Sequence, residues 1–426
     1  MLFFKEDLQY IKDNNNGNIC NKIIFIKIGL LLLMIAKLYI LLCNDKYFLY
    51  KKELYFYKNY ILDCQKLKLI SFEKENIYNF SYFSIVLPVY NSKKYIGSSI
   101  FSIINQSFRA FEIIIINDFS NDGTQNIIQK FQSQFSKIKI INHSSNLGIY
   151  ISRVEGVLNS NGNYIIFIDS DDIFLNPFLF KKLYEFNIYY NLDIIEFIVL
   201  HQEEGKNNLF LPPDHKLNHF HNYTKKIIYQ PELSNILFYE PGKLNYSEVI
   251  CRTIWNKLIR KDVLLKTIKF IDTENNKKLH FNYGEDTIMN VLNFQFAINY
   301  SNIYVPGYMY NIRKISISHS NLGTENDIII CQNFFIYFKL FYKFIKYFKK
   351  NENYFLFELR KYQNYLIKLK ESNSTEYILE AILFFNDIIK ENTNISHNLR
   401  SLIIDLSKIF NGKYIFSYFI KTIISK

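Results

Sequence analysis

Three short stretches hold the residues best able to do chemistry. Pro88-Val89-Tyr90-Asn91 ends one apolar run. Asn117-Asp118-Phe119-Ser120-Asn121-Asp122-Gly123-Thr124 ends a second, and Asp169-Ser170-Asp171-Asp172 ends a third. Taken singly, each acidic stretch reads equally well as a solvated turn leading into a helix N-cap, since Asp suits both roles. Both directly follow buried-type strands, and that pairing predicts one shared acidic cleft. Carboxylates held close repel and raise one another's pKa. A divalent cation resolves the repulsion, and hard oxygen ligands suit Mg²⁺ or Mn²⁺. The cation in turn favours an anion such as a diphosphate.

The elements that must position these residues alternate. Residues 82–89 form a β-rich run, and 93–106 place Ile96, Ile100, Ile103 and Ile104 at helical spacing. A continuous apolar strand follows at 111–118, then a helix at 123–135 and a strand at 137–142. A helix over Asn146 to Asn159 and a buried strand at 163–169 complete the series. This rhythm predicts an α/β fold with a mostly parallel sheet flanked by helices. Ligands of such sheets bind outside the carboxyl ends of the strands, where the three stretches lie. Residues 201–250 break the rhythm with Pro212, Pro213, Pro231 and Pro241, and read as a long loop or insertion.

The order and spacing of FSIVLPVYN (83–91), IIINDFSNDGT (114–124), NLGIYISRVEGVLNSNGNYIIFIDSDD (146–172), WNKLIRKDVL (255–264) and YGEDTIMN (283–290) resemble the family 2 glycosyltransferases of GT-A fold. The resemblance covers about residues 82–320. It implies a nucleotide-sugar-dependent inverting transferase of hexosyl or N-acetylhexosaminyl type, with a UDP-linked donor and a hydroxyl acceptor on a glycan, lipid or protein. Pro88, Tyr90 and Asp118 would line the nucleotide pocket, Asp118 bonding the base, while Asp122 orders the same loop. Arg153 would face the diphosphate. Asp169 would contact ribose or sugar, and Asp171 the metal. Asp286 would be the catalytic base, beside Glu285. Trp255 and Lys257 would lie on the acceptor side. Tyr308, Tyr310 and Arg313 resemble a further motif in which Arg313 meets the diphosphate. The long 201–250 segment and Glu155, where many relatives carry Asn, depart from the family pattern.

The rest of the chain bounds this reading. With 426 residues, 49% of them apolar or aromatic, and only 13 Gly and 7 Pro, it is neither disordered nor collagen-like. Five scattered cysteines exclude a disulfide scaffold. The formal net charge of +12 comes from Lys spread along an Ile-, Asn-, Lys-, Tyr- and Phe-rich chain, so it predicts no nucleic-acid partner. Residues 1–22 read as a polar tail and 44–81 as a stem. Residues 23–43 (IIFIKIGLLLLMIAKLYILLC) read as a single-pass membrane anchor, despite Lys27 and Lys37. That would place the protein in the Golgi or endoplasmic reticulum of a eukaryote, or in the cytoplasm if the run is instead a buried helix. Residues 321–426 read as amphipathic helices. His215, His219 and His221 lack the further ligands that a zinc site needs. Two alternatives stand beside the leading one: transfer to a polyprenyl phosphate, and a silent protein that keeps the nucleotide-sugar pocket.

Overall fold

A computed structural model describes residues 80–206, 209–210, 227–233, 253–272 and 284–313, together with Leu340. All belong to the compact unit Ile61–Lys426. The expected tail, the anchor at 23–43, nearly all of the stem, the three histidines and the helices expected at 321–426, Leu340 apart, lie outside the described residues. Among the described residues no helix is long and apolar enough to cross a membrane.

The alternation read from the sequence is present. Strand β1 (Phe83–Val89) is followed by α1 (Ile96–Ile104), β2 (Phe111–Asn117), α2 (Thr124–Gln134), β3 (Ile138–Asn142), α3 (Ile149–Leu158) and β4 (Tyr164–Phe167). Every residue of β1, β2 and β4 is buried, as their unbroken apolar runs require when helices cover both faces. Helix α1 turns Ile96, Ile100 and Ile103 into the core. Helix α3 lies close against β1 at Gly156, where a Cβ would stand 2.3 Å from Val86 Cγ1.

The expected helix over Asn146 to Asn159 begins later, at Ile149. Gly148 has φ +91° and ψ 165°, which keeps the chain extended just before it. The remaining elements are β5 (Ile173–Phe174), α4 (Leu179–Tyr190), β6 (Ile194–Glu203), β7 (Leu209–Phe210), β8 (Ile228–Tyr229), β9 (Lys257–Arg260), α5 (Lys261–Asp272), α6 (Glu285–Phe296) and β10 (Asn299–Ile312). They make one sheet in the order β3-β2-β1-β4-β9-β6-β10-β5, with β7 on β6 and β8 on β10.

The class is α/β, a central sheet flanked by helices. Its β3-β2-β1-β4 half is parallel throughout. The other half is mixed. β9 runs antiparallel to both β4 and β6, while β6 and β10 are parallel. The 201–250 segment intervenes between β6 and β9, so β9 need not follow the right-handed crossover rule that made the first half parallel.

Candidate active site

Strand order turns back at β1, with β2 and β3 on one side and β4 on the other. Such a switch point opens a crevice at the carboxyl ends of the strands. Here the opening has a residue-level cause. Pairing of β1 with β4 stops at Val86 and Phe167, whereas pairing with β2 continues to Val89 and Asn117. Pro88 lies where β1 has already left β4, so no ladder bond is asked of it on that side.

Tyr90 follows, half exposed, in a loop tied to the loop after β2. Asn91 N–H donates to Ser120 Oγ (3.0 Å) and Asn121 N–H to Asn91 Oδ1 (3.0 Å). Ser92 N–H donates to Thr124 Oγ1 (2.9 Å). Asp122 accepts from Lys93 N–H (3.0 Å) and from Thr124 N–H (3.0 Å). It thus ties this loop pair together at the start of α2.

Asp118, expected at the base, is tied to the turn that precedes α3. It is 4% exposed, and its carboxylate accepts Leu147 N–H (2.7 Å) and Gly148 N–H (2.8 Å). It also meets His143 Nδ1 (2.7 Å), whose Nε2 reaches Glu155 (2.9 Å). These bonds tie Asp118 to the turn that starts α3, Oδ1 meeting His143 and Leu147 and Oδ2 meeting Gly148. Sequence gave no signal for His143, a lone histidine in a turn.

The opposite wall is acidic. Arg153, on α3 and 2% exposed, is shared by two elements. Its Nη2 donates to Asp169 Oδ1 (3.0 Å), and its Nη1 to Glu285 Oε1 (2.6 Å). The guanidinium is therefore spent inside the protein and does not face an open diphosphate position. Its structural effect is to join the end of β4 to the first turn of α6. Gly284, at φ +82°, starts that helix, and carboxylates are favoured in its first turn. Asp286 lies there beside Glu285, with Oδ1 accepting Thr287 N–H (2.8 Å).

Asp171 meets Arg313 Nε at 2.6 Å. This is the arginine expected at the diphosphate, and its only described ion pair is with the expected metal ligand. Asp172, fully buried, was not singled out from the sequence. It accepts Tyr308 Oη–H (2.7 Å) and Asn311 N–H (2.8 Å), pinning β10 against the acidic loop. Its place directly after the Asp169/Asp171 pair was the available signal. Trp255 is 7% exposed and stacks on Tyr308 (4.6 Å between centroids, 19° between planes) and Tyr310 (5.5 Å, 11°). Lys257 is fully buried near Glu196 (3.4 Å) and donates to Thr253 O (2.6 Å) and Asn256 Oδ1 (2.8 Å). Both were expected to face an acceptor. Both are instead internal supports, because β9, which carries Lys257 and follows Trp255, is inserted between β4 and β6.

The acids outnumber the cations on this wall, and their titration reflects it. Burial pushes Asp171 up to about 6, Arg313 opposing and Asp169 adding to the rise. Asp172 stands well above the usual carboxylate range through burial, then Asp171 and Asp169. Burial pushes Glu285 up to about 7 against the pull of Arg153. Asp286 is raised by burial and Asp169, with Arg153 opposing. A divalent cation fits this donor set: Asp171 is a hard oxygen ligand in a region with surplus negative charge. Among the described residues no group of three or more His, Cys, Asp or Glu is arranged to hold a metal alone. A cation here would therefore take further oxygens from an anionic ligand. Alongside Asp171 and Arg313, a cleft of about 870 Å³ is walled by Lys94, Tyr95, Glu204 and Asn311.

Residues 84–267 match the sequence profile described as "Glycosyl transferase family 2". A "Cholesterol galactosyltransferase" from Borreliella burgdorferi is 30% identical over 186 residues, 43% of this chain and 49% of that protein. A "Putative teichuronic acid biosynthesis glycosyltransferase TuaG" from Bacillus subtilis is 33% identical over 100 residues, 24% of this chain and 40% of that protein. The chain thus spans about half or less of the length of these relatives. A crystal structure of residues 1–349 of S. aureus TarS in complex with UDP is 17% identical, with 76% of this chain and 88% of that one covered and a TM-score of 0.44.

Proposed function

From the match of residues 84–267 to the glycosyl transferase family 2 profile, we propose that the chain is a member of that family and transfers a hexosyl or N-acetylhexosaminyl unit from a UDP-linked sugar to an acceptor hydroxyl with inversion. One observation carries the reading. Buried Arg153 holds Asp169 and Glu285 together, which brings the Asp286 carboxylate to the crevice that Asp169 and Asp171 border.

In this reaction Asp286 accepts the proton of the acceptor hydroxyl. The hydroxyl oxygen attacks the anomeric carbon from the face opposite the diphosphate, whose bond to that carbon breaks. A general base works best when its pKa approaches the working pH, and burial moves Asp286 in that direction. Glu285 and Arg153 orient it. Tyr90 lies along the nucleotide, and Asp122 holds the loop that carries it. Asp171 would hold Mg²⁺ or Mn²⁺ together with diphosphate oxygens, and the cation supplies neutralisation of charge on the leaving group. Arg313 then has two anionic partners within its region, Asp171 and the diphosphate.

Two further parts of the proposal rest on sequence. Residues 82–320 form the catalytic domain. Residues 23–43 anchor the chain to a membrane, on the strength of a 21-residue apolar run. That run also favours a lipid-linked acceptor, polyprenyl phosphate included, as the second reading. UDP binding by the full chain with and without Mn²⁺, and nucleotide release from a panel of UDP-sugars, test the core of the proposal. Mn²⁺-dependent UDP binding is expected and should be lost in Asp171→Ala. Equal binding by that variant would sink the metal assignment. Absence of nucleotide release from every donor, with binding intact, would favour the silent protein.

A further inference from the structure

Phe119 is at odds with its own backbone. Its φ is +63°, a region that crowds a side chain against the backbone and that Gly or Asn normally occupies. The other described non-glycine residues with positive φ, Asn91 and Asn191, are of the tolerant type. The ring does not turn inward in compensation. It is 52% exposed and meets no other aromatic ring among the described residues. Core packing therefore does not account for a phenylalanine at this position. A single exposed aromatic would be ordinary, but Tyr90, 50% exposed, stands on the neighbouring loop. The Asn91–Ser120, Asn121–Asn91 and Lys93–Asp122 bonds lace those loops together. Two flat rings are thus presented at the carboxyl edge of β1 and β2, on backbone that is already fixed.

We propose that Phe119 is a specificity-determining residue of the donor site, whose ring works with that of Tyr90 to stack on the base of a nucleoside diphosphate. The inference rests on the nucleotide-sugar reading above. Every nucleobase has a π face, and aromatic side chains held in advance lose little freedom when they stack on one. Strain that the surrounding bonds over-determine is the kind retained at ligand clamps.

Replacement can separate the ring from the strain. Phe119→Gly and Phe119→Asn both suit φ +63° and both remove the ring, while Phe119→Tyr keeps it. Thermal melting and calorimetric titration of the full chain with UDP, and with inorganic pyrophosphate, in Mn²⁺ provide the readouts. Both ring-less variants are expected to melt no lower than the parent. They should bind UDP about tenfold or more weakly, with Phe119→Tyr within about twofold of the parent, on the scale of base–aromatic stacking. Pyrophosphate affinity should be the same in all four proteins. UDP affinity in Phe119→Gly within about twofold of the parent overturns the inference, since a stacking ring contributes more than that. So does joint loss of melting temperature and UDP binding in Phe119→Asn, which would make the ring structural. A parent that binds no nucleoside diphosphate overturns the nucleotide-sugar reading as well; parent binding with unaffected variants overturns this inference alone.

Discussion

The β1–β2 wall of the crevice is built from backbone bonds to short side chains. Backbone N–H groups of Asn91, Ser92, Lys93 and Asn121 meet Ser, Thr, Asn and Asp oxygens, and two aromatic rings face solvent. The β4–α6 wall is built from charges: Asp169, Asp171, Asp172, Glu285 and Asp286 around Arg153 and Arg313. A loop whose carboxylate acceptor, Asp122, is held below the usual range stays satisfied throughout neutral pH. A buried set with more acids than cations is not, and several of its carboxyls rise accordingly. The first wall is a preformed seat. The second is complete only when protons, or a cation with its anionic ligand, balance it. In the proposed enzyme the base and ribose meet the seat, while the reacting atoms meet the wall whose charge must change.

The largest effect should come from the charged wall. Asp286→Asn keeps shape and removes the proton acceptor, so turnover should fall by about 10²–10⁴-fold with UDP affinity little altered. Steady-state rates beside calorimetry check this. If turnover survives, Asp286 is not the base. The parent's pH profile sharpens the same point. Asp286 must be ionised to accept a proton, and its pKa is raised. kcat should therefore decline on the acid side, through an apparent pKa above the 3.8 of an ordinary Asp. An acid limb at or below that value would contradict the buried geometry.

Arg153→Met breaks the join itself. It leaves Asp169 and Glu285 facing each other without a cation in a buried site. Removing one partner of a buried ion pair costs about 3–5 kcal/mol. Urea denaturation at neutral pH should show that loss. The deficit should be largest at alkaline pH and shrink as pH falls toward about 7, because Glu285, at about 7 beside Arg153 and higher without it, takes up its proton first in the variant. A pH-independent deficit would mean that lost packing, and not the stranded carboxylates, sets the cost.

The two walls also differ in how far sequence exposed them. Strands β1, β2 and β4 were legible because helices on both faces demand unbroken apolar runs, and their bounds shift by only a residue or two. The convergence of Asp122, Asp169 and Asp171 on one sheet edge follows from that topology, whereas the place of Glu285 and Asp286 was implied only by the family resemblance. Partner choice was not legible. Whether Arg153 points to solvent or bridges two carboxylates depends on α6, more than a hundred residues away. Trp255 and Lys257 look like surface-active types until β9 is seen between β4 and β6. The Leu147 and Gly148 amides that Asp118 accepts lie about thirty residues further along the chain and could not be read from its own stretch. The backbone strain of Phe119 has no sequence signature, because φ is set by the loop partners and not by the residue.

Asp122→Ala probes the β1–β2 wall, and its expected effect is the smallest. The substitution removes the acceptor of Thr124 N–H and Lys93 N–H. A net hydrogen bond contributes about 0.5–1.5 kcal/mol, so melting temperature should drop modestly. Unlike the deficits on the charged wall, this one should be the same at pH 6 and pH 8 and with or without Mn²⁺, because Asp122 is held below the usual carboxylate range and is ionised throughout that interval. UDP affinity should weaken, since the seat that presents Tyr90 and Phe119 loosens, while kcat at saturating donor holds. A cation-dependent deficit in Asp122→Ala would join this loop electrically to the acidic wall and end the division between them.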